Sequence, residues 1–278
     1  MAINQLPPGA QYELAQCVEI ETSTTRYLIR NGYDEIWWGQ VPLPLYRVKS
    51  ADPASLPIRG RLEPSDLYPP KPCGAHEFEG SLNDPNVFIK QSNFLTSTYF
   101  FNDLPVYRRN IAAEVQVCET LIEDLDEDPN VCKYLGLVLD SADRVIAIAY
   151  KKYDTDLWNA ARTKVFPDLF TPARSKYIMD EVKKGMKYLH SWKFVHCDIR
   201  PENVLLKKGE NGGPMEVVLC DFDSVNEVGK VLKGKSAPVD WWEDVAEFDI
   251  DRKQLAMFPK WFEVMSHVYR ALYANHAN

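Results

Sequence analysis

The sequence predicts an α+β fold in which a sheet-rich first half precedes a mainly helical second half. Three features carry this reading. Short strand-like runs flank one amphipathic helix before about residue 150, and helical periodicity dominates after it. Between Pro42 and Pro72 the prolines are dense enough to argue against long helices there. The expected arrangement is a small sheet-rich lobe hinged near Lys151–Asp154 to a helical lobe. Residues 1–75 form an extension and the start of the first lobe, 76–150 complete it, and 151–278 make the second.

Each element has its own signal. Asn31-Gly32, between Thr25–Arg30 and Tyr33–Trp38, predicts a hairpin with a type I′ turn, because this dipeptide tolerates positive φ. His76–Leu82 and Val87–Gln91 read as strands around the turn Asn83-Asp84-Pro85-Asn86. Val106 to Asp124 reads as a helix on Ile111, Val115, Cys118 and Ile122. Val131–Leu139 and Arg144–Tyr150 follow as strands joined at Asp140–Asp143. A second helix runs from Ser175 to His190 on Ile178, Val182, Met186 and Leu189. Val204–Leu206 and Val217–Leu219 are short strands linked through Gly209–Pro214. Asp251 to His267 is helical, with a break expected at Pro259.

Composition bounds the function. The 278 residues suit one large domain or two lobes sharing a cleft, and 45% hydrophobic with 26% charged residues is ordinary for a globular chain. A net charge of −8 argues against a general nucleic-acid binder, which needs a basic field. No apolar run approaches the roughly 20 residues of a membrane span, so no membrane partner is expected. Met1 to Gly9 lacks a basic region followed by an apolar core, which makes a cytoplasmic location the expectation. Six scattered cysteines form no C-x-x-C pair and read as small buried apolar residues rather than a zinc site or disulfide framework.

The densest chemical signal is Val195-His196-Cys197-Asp198-Ile199-Arg200-Pro201-Glu202-Asn203, running into Val204-Leu205-Leu206. It resembles the catalytic loop of the protein kinases, H-R-D-x-x-x-x-N before a short strand. That resemblance implies Asp198 as the base that orients an attacking hydroxyl, and Asn203 as a ligand of Mg²⁺. Leu219-Cys220-Asp221-Phe222-Asp223 is similar to the metal-binding D-F-G of the same family and makes Asp221 the second metal ligand. Val87-Phe88-Ile89-Lys90 resembles the strand whose Lys contacts the α- and β-phosphates of ATP. Its helix partner would be Glu114, with Glu119 the alternative. The family pattern further implies that Ile148 and Lys151, beside the hinge, contact the nucleotide, and that Arg200 meets the γ-phosphate.

The sequence also departs from the family. No G-x-G-x-x-G precedes Lys90, and Asp223 stands where the family has Gly. Cys197 replaces the Arg that receives an activation-segment phosphate, which implies activity independent of such phosphorylation. Arg200 replaces a Lys, keeping the charge with a different donor geometry. Ala237-Pro238 stands loosely for the close of the activation segment, and Asp251 for the helix Asp that steadies the catalytic loop. Each of the pairs Trp37-Trp38 and Trp241-Trp242 reads as one buried and one half-exposed ring, with substrate stacking open for the second. The shortened second lobe is similar to small kinase-like proteins of filamentous fungi. The implied function is transfer of the γ-phosphate of Mg·ATP to a hydroxyl, on protein Ser/Thr or on a small molecule. Two alternatives remain: a nucleotide-binding pseudokinase, and a kinase-fold enzyme using ATP for other chemistry.

Overall fold

The computed structural model describes residues 6–7, 9–32, 35–92, 94–96, 100–122, 130–163, 165–209, 213–232 and 245–273. Ala237-Pro238, Trp241-Trp242 and Asp124 lie outside the described residues. The chain divides into two compact units. The first comprises Met1–Glu79, Ile89–Ala112 and Gly136–Ala149; the second comprises Gly80–Phe88, Ala113–Leu135 and Tyr150–Asn278. The architecture is mixed α+β, with a sheet-rich N-terminal region and a helical C-terminal part.

In the first unit, β1 (Tyr12–Glu21), β2 (Thr24–Asn31), β3 (Ile36–Val41) and β4 (Gly60–Leu62) make a four-stranded antiparallel meander in chain order. Its packed face joins Tyr27, Ile29, Trp37 and Val41 to Val48, Leu56 and Ile58. Val48 comes from α1 (Leu45–Lys49), which with α2 (Pro64–Leu67) is as short as the prolines demand. Gly39 is required by packing: a Cβ there would meet the Pro57 oxygen at 2.4 Å and the Tyr27 ring at 2.5 Å.

Two sequence expectations are corrected in this unit. Arg30 pairs with Ile36, so the β2–β3 loop is longer than two residues, and neither Asn31 nor Gly32 has positive φ. Asn31 closes the loop with its side chain instead, accepting from Glu35 N at 3.0 Å and donating to Glu35 Oε2 at 2.7 Å. His76–Leu82 does not form a strand. It makes one parallel bridge, Glu77 to Leu137, before bending at Gly80.

The remaining early elements contribute to both units: β5 (Val87–Lys90), α3 (Phe100–Leu121), β6 (Tyr134–Leu139) and β7 (Val145–Lys151), with the sheet ordered β5-β7-β6. Ile111, Val115 and Cys118 on α3 are buried, as their spacing predicts.

The second unit continues with β8 (Thr155–Asp156), α4 (Leu157–Ala160) and α5 (Pro172–Ser191). Thr171 caps α5, its hydroxyl accepting from Arg174 N at 3.3 Å, and Pro172 occupies the first turn, where a missing N–H costs nothing. The four apolar positions Ile178, Val182, Met186 and Leu189 are all buried. Gly185 sits among them because a Cβ would lie 2.4 Å from the Asn130 carbonyl oxygen. After α5 come β9 (Phe194–Val195), β10 (Val204–Lys207), β11 (Glu216–Leu219) and β12 (Asn226–Glu227). β10 pairs antiparallel with both β11 and β8, and β12 pairs with β9. The expected break in the last helical stretch separates α6 (Phe248–Ala256) from α7 (Phe258–Tyr273), with Pro259 in the first turn of α7. Among the described residues no helix is long and apolar enough to cross a membrane.

Candidate active site

The loop from His196 to Arg200 leaves β9 and enters β10 through a single 3-10 turn, Pro201–Asn203. Its backbone is held from one side by α6. Asp251, fully buried, accepts from His196 N and Cys197 N, both at 2.8 Å, and its Oδ2 also meets His190 Nε2 at 2.8 Å. Three residues on, Gln254 accepts from Ile199 N at 2.7 Å and donates to Cys197 O at 2.9 Å. Cys197 itself has φ of 63°, a left-handed conformation that a side chain with Cβ adopts at a cost. The four hydrogen bonds from α6 offset that strain.

His196 is fixed from both ring nitrogens. Cys220 O can only accept, so Nε2, at 3.0 Å, carries the proton. Nδ1 then accepts from Asp198 N at 3.3 Å. The imidazole ties the end of β11 to the loop and spans the peptide that begins Asp198. Phe222, buried one residue beyond Asp221, packs edge-on against this ring at 6.1 Å.

Asp198 and Asn203 form the centre of the site. Asn203 Nδ2 donates to Asp198 Oδ2 and to the Asp198 carbonyl, each at 2.9 Å. The other carboxylate oxygen, Oδ1, is buried with no hydrogen-bond partner among the described residues. Burial lifts the Asp198 carboxyl above the ordinary carboxylate range, and the Asp221 charge adds to this. Arg200 and the Asn203 hydrogen bond act against it. Cys220 N donates to Asn203 O at 3.0 Å, and Val204 pairs with Leu219. Residues 203 and 221 therefore flank the same end of the β10–β11 ladder. Asp221 has φ of 67° and opens the short 3-10 turn Phe222–Ser224.

The other sequence candidates are placed as follows. Arg200 makes a two-point pair with Glu202, Nε and one terminal nitrogen each at 2.9 Å from its carboxylate, which raises the guanidinium pKa further. Glu114 is buried on α3 and accepts from Tyr150 O–H at 2.8 Å. Glu119 accepts from Tyr134 O–H instead. Ile148 is buried in β7. Lys151 ends that strand with Nζ on both oxygens of Glu216, at 2.7 and 2.8 Å. Lys90 ends β5, half-buried, in the first unit, whereas Glu114, Asp198, Arg200, Asn203 and Asp221 belong to the second. Asp223 accepts from Ser224 Oγ at 3.0 Å.

Two contributors escaped the sequence reading. Gln254 was legible only as a position one helical turn after Asp251, hence on the same face. Tyr150 carried no signal beyond being the end of an apolar run, yet its hydroxyl donates to Glu114.

A model of the protein kinase domain matches residues 102–241, half of the chain. The chain belongs to the protein kinase family. Among curated proteins it is similar to mitogen-activated protein kinase 15 of Xenopus laevis, 29% identical over 117 residues, covering 42% of this chain and 19% of that protein. A serine/threonine-protein kinase of Drosophila erecta is 32% identical over 122 residues, 44% of this chain and 15% of the relative. Extracellular signal-regulated kinase 2 of Dictyostelium discoideum is 29% identical over 85 residues, 31% and 22% respectively. The chain thus aligns with less than a quarter of each of these relatives.

Proposed function

We propose that this protein is a phosphotransferase that moves the γ-phosphate of Mg·ATP to a hydroxyl, with Asp198 as the base that orients the acceptor. The observation that carries the reading is the asymmetry of the Asp198 carboxylate. One oxygen is anchored by Asn203, while Oδ1 is buried and unpartnered among the described residues. A buried acceptor without a donor is costly, and an acceptor hydroxyl would supply that donor. Family membership supports the use of ATP and Mg²⁺, since protein kinase domains in general position these two for transfer.

The residues present fit Mg²⁺ as a partner of phosphate rather than as a caged ion. Asn203 spends its N–H groups on Asp198, which leaves the amide oxygen as the group for a metal. Asp221 follows β11 at that same end of the β10–β11 ladder. Among the described residues no cluster of three or more His, Cys, Asp or Glu forms a dedicated metal site. Two oxygen ligands, with phosphate and water completing the shell, match how Mg²⁺ is usually held. When bound, the ion would neutralise phosphate charge. Asp198 would direct the hydroxyl and take its proton, and Lys90, by the family pattern, would contact nucleotide phosphate.

Cys197 is fully buried against Val195, Ala246 and Ile250. It offers no cation to a phosphate, which supports activity independent of activation-segment phosphorylation. A protein Ser/Thr acceptor accords with the relatives. The absent glycine motif ahead of Lys90 favours a second reading, a nucleotide-binding pseudokinase. Product analysis after incubation with Mg·ATP and a generic protein substrate separates these: ADP indicates phosphoryl transfer, AMP indicates other ATP chemistry, and binding without turnover supports the pseudokinase.

A further inference from the structure

Asp198 is bracketed by two peptide groups, and one side chain holds both. Gln254 Oε1 accepts from Ile199 N at 2.7 Å, and Gln254 Nε2 donates to Cys197 O at 2.9 Å. Ile199 N can only donate and Cys197 O can only accept. A primary amide in one orientation is therefore what satisfies both. Gln254 is 3% exposed, so this contact is sheltered from water. The residue before Asp198 is in the left-handed region, and the Asp198 N–H is committed to His196. His196 takes the Asp198 N–H and Asn203 donates to the Asp198 carbonyl, so each peptide beside the carboxylate is held at one end by those residues and at the other by Gln254.

We propose that Gln254 is a positioning residue for Asp198: its amide clamps Cys197 O and Ile199 N, and so sets the direction of the carboxylate that lies between them. Asp251 anchors the start of the loop at His196 and Cys197, whereas Gln254 anchors the far side, at Ile199. Together they grip the loop over one turn of α6. The kinetic consequence rests on the phosphotransferase reading above; the clamp itself does not.

The test uses the full chain and Gln254→Met, which keeps length and volume and removes both hydrogen bonds. Turnover of Mg·ATP is measured with a generic protein substrate, alongside amide hydrogen exchange of peptides covering residues 195–201. The expected result is a fall in kcat by about 10- to 100-fold with KM for Mg·ATP changed by less than about twofold, because only the reacting geometry is lost. Exchange in the 195–201 peptides is expected to accelerate while the other peptides keep their protection. Unchanged kcat, or unchanged exchange at the loop, overturns the assignment. If the parent chain shows no turnover, the functional reading fails and the exchange result alone decides the clamp. If Gln254→Met loosens every peptide, Gln254→Glu, which keeps the acceptor for Ile199 N, takes the same measurements with the same two criteria.

Discussion

The side-chain amide of Asn203 donates to both the carboxylate and the backbone carbonyl of Asp198, each at 2.9 Å. One residue thus fixes the rotamer of the candidate base and leaves its amide oxygen for the proposed metal. The two tasks share a single amide, so they fail together.

Replacing Asn203 with Ala is therefore expected to do more than weaken metal binding. Turnover should fall by about 100-fold or more, since a positioned proton acceptor contributes on that scale. The Mg²⁺ concentration needed for half-maximal nucleotide binding should rise. Titration of Mg²⁺ at fixed ATP, read by calorimetry and by product formation, checks both effects.

Burial raises the Asp198 carboxyl, and the sign of the stability effect follows. Between the ordinary carboxylate range and the raised folded value, the folded chain holds more protons than the unfolded chain. Stability therefore falls as pH rises through that window, and the penalty persists above it. Asp198→Asn removes the charge and keeps an acceptor for Asn203. It is expected to raise the melting midpoint at pH 7, with the gain shrinking to nothing below the ordinary carboxylate range. Melting curves across pH 3–8 read this directly. The acid limb of activity in the parent chain should likewise lie above the ordinary carboxylate range.

Asp251, itself fully buried, accepts two buried backbone N–H groups and contacts the half-buried His190. Asp251→Ala strands those donors. A loss of about 2–5 kcal/mol is expected, since each unsatisfied buried group costs about 1–3 kcal/mol. Denaturant unfolding measures it.

Burial, followed by the Asp251 charge, pushes the Cys197 thiol up to about 12. Thiolate is the reactive form, so Cys197 should resist alkylation in the native chain at pH 8, whereas exposed Cys73 should react readily. Peptide mapping after iodoacetamide, with and without denaturant, distinguishes them.

The candidate site was more legible than the sheet that opens the chain. Asp198, Asn203 and Asp221 stand out because the family motifs they resemble fix residue types and spacing along a continuous loop and hairpin. The α6–α7 break was legible because Pro259 cannot continue a helix from its neighbours. β1 was missed: register shifts between Leu14 and Gln16 and between Glu19 and Glu21 break the alternation that marks a strand. The turn at Asn31 was misread because its side chain does the work assigned to left-handed backbone. Gln254 could not be recognised locally, since its partners, Cys197 and Ile199, lie in a distant loop.

Transfer of the γ-phosphate from Mg·ATP, compared between the parent chain and Asp198→Asn with Mg·ATP affinity measured alongside, probes the role of Asp198 most directly. The expected result is ADP formation in the parent, a fall of about 100- to 10,000-fold in the variant, and affinity held within about twofold. Equal rates in the two proteins would contradict the assignment of Asp198 as the base.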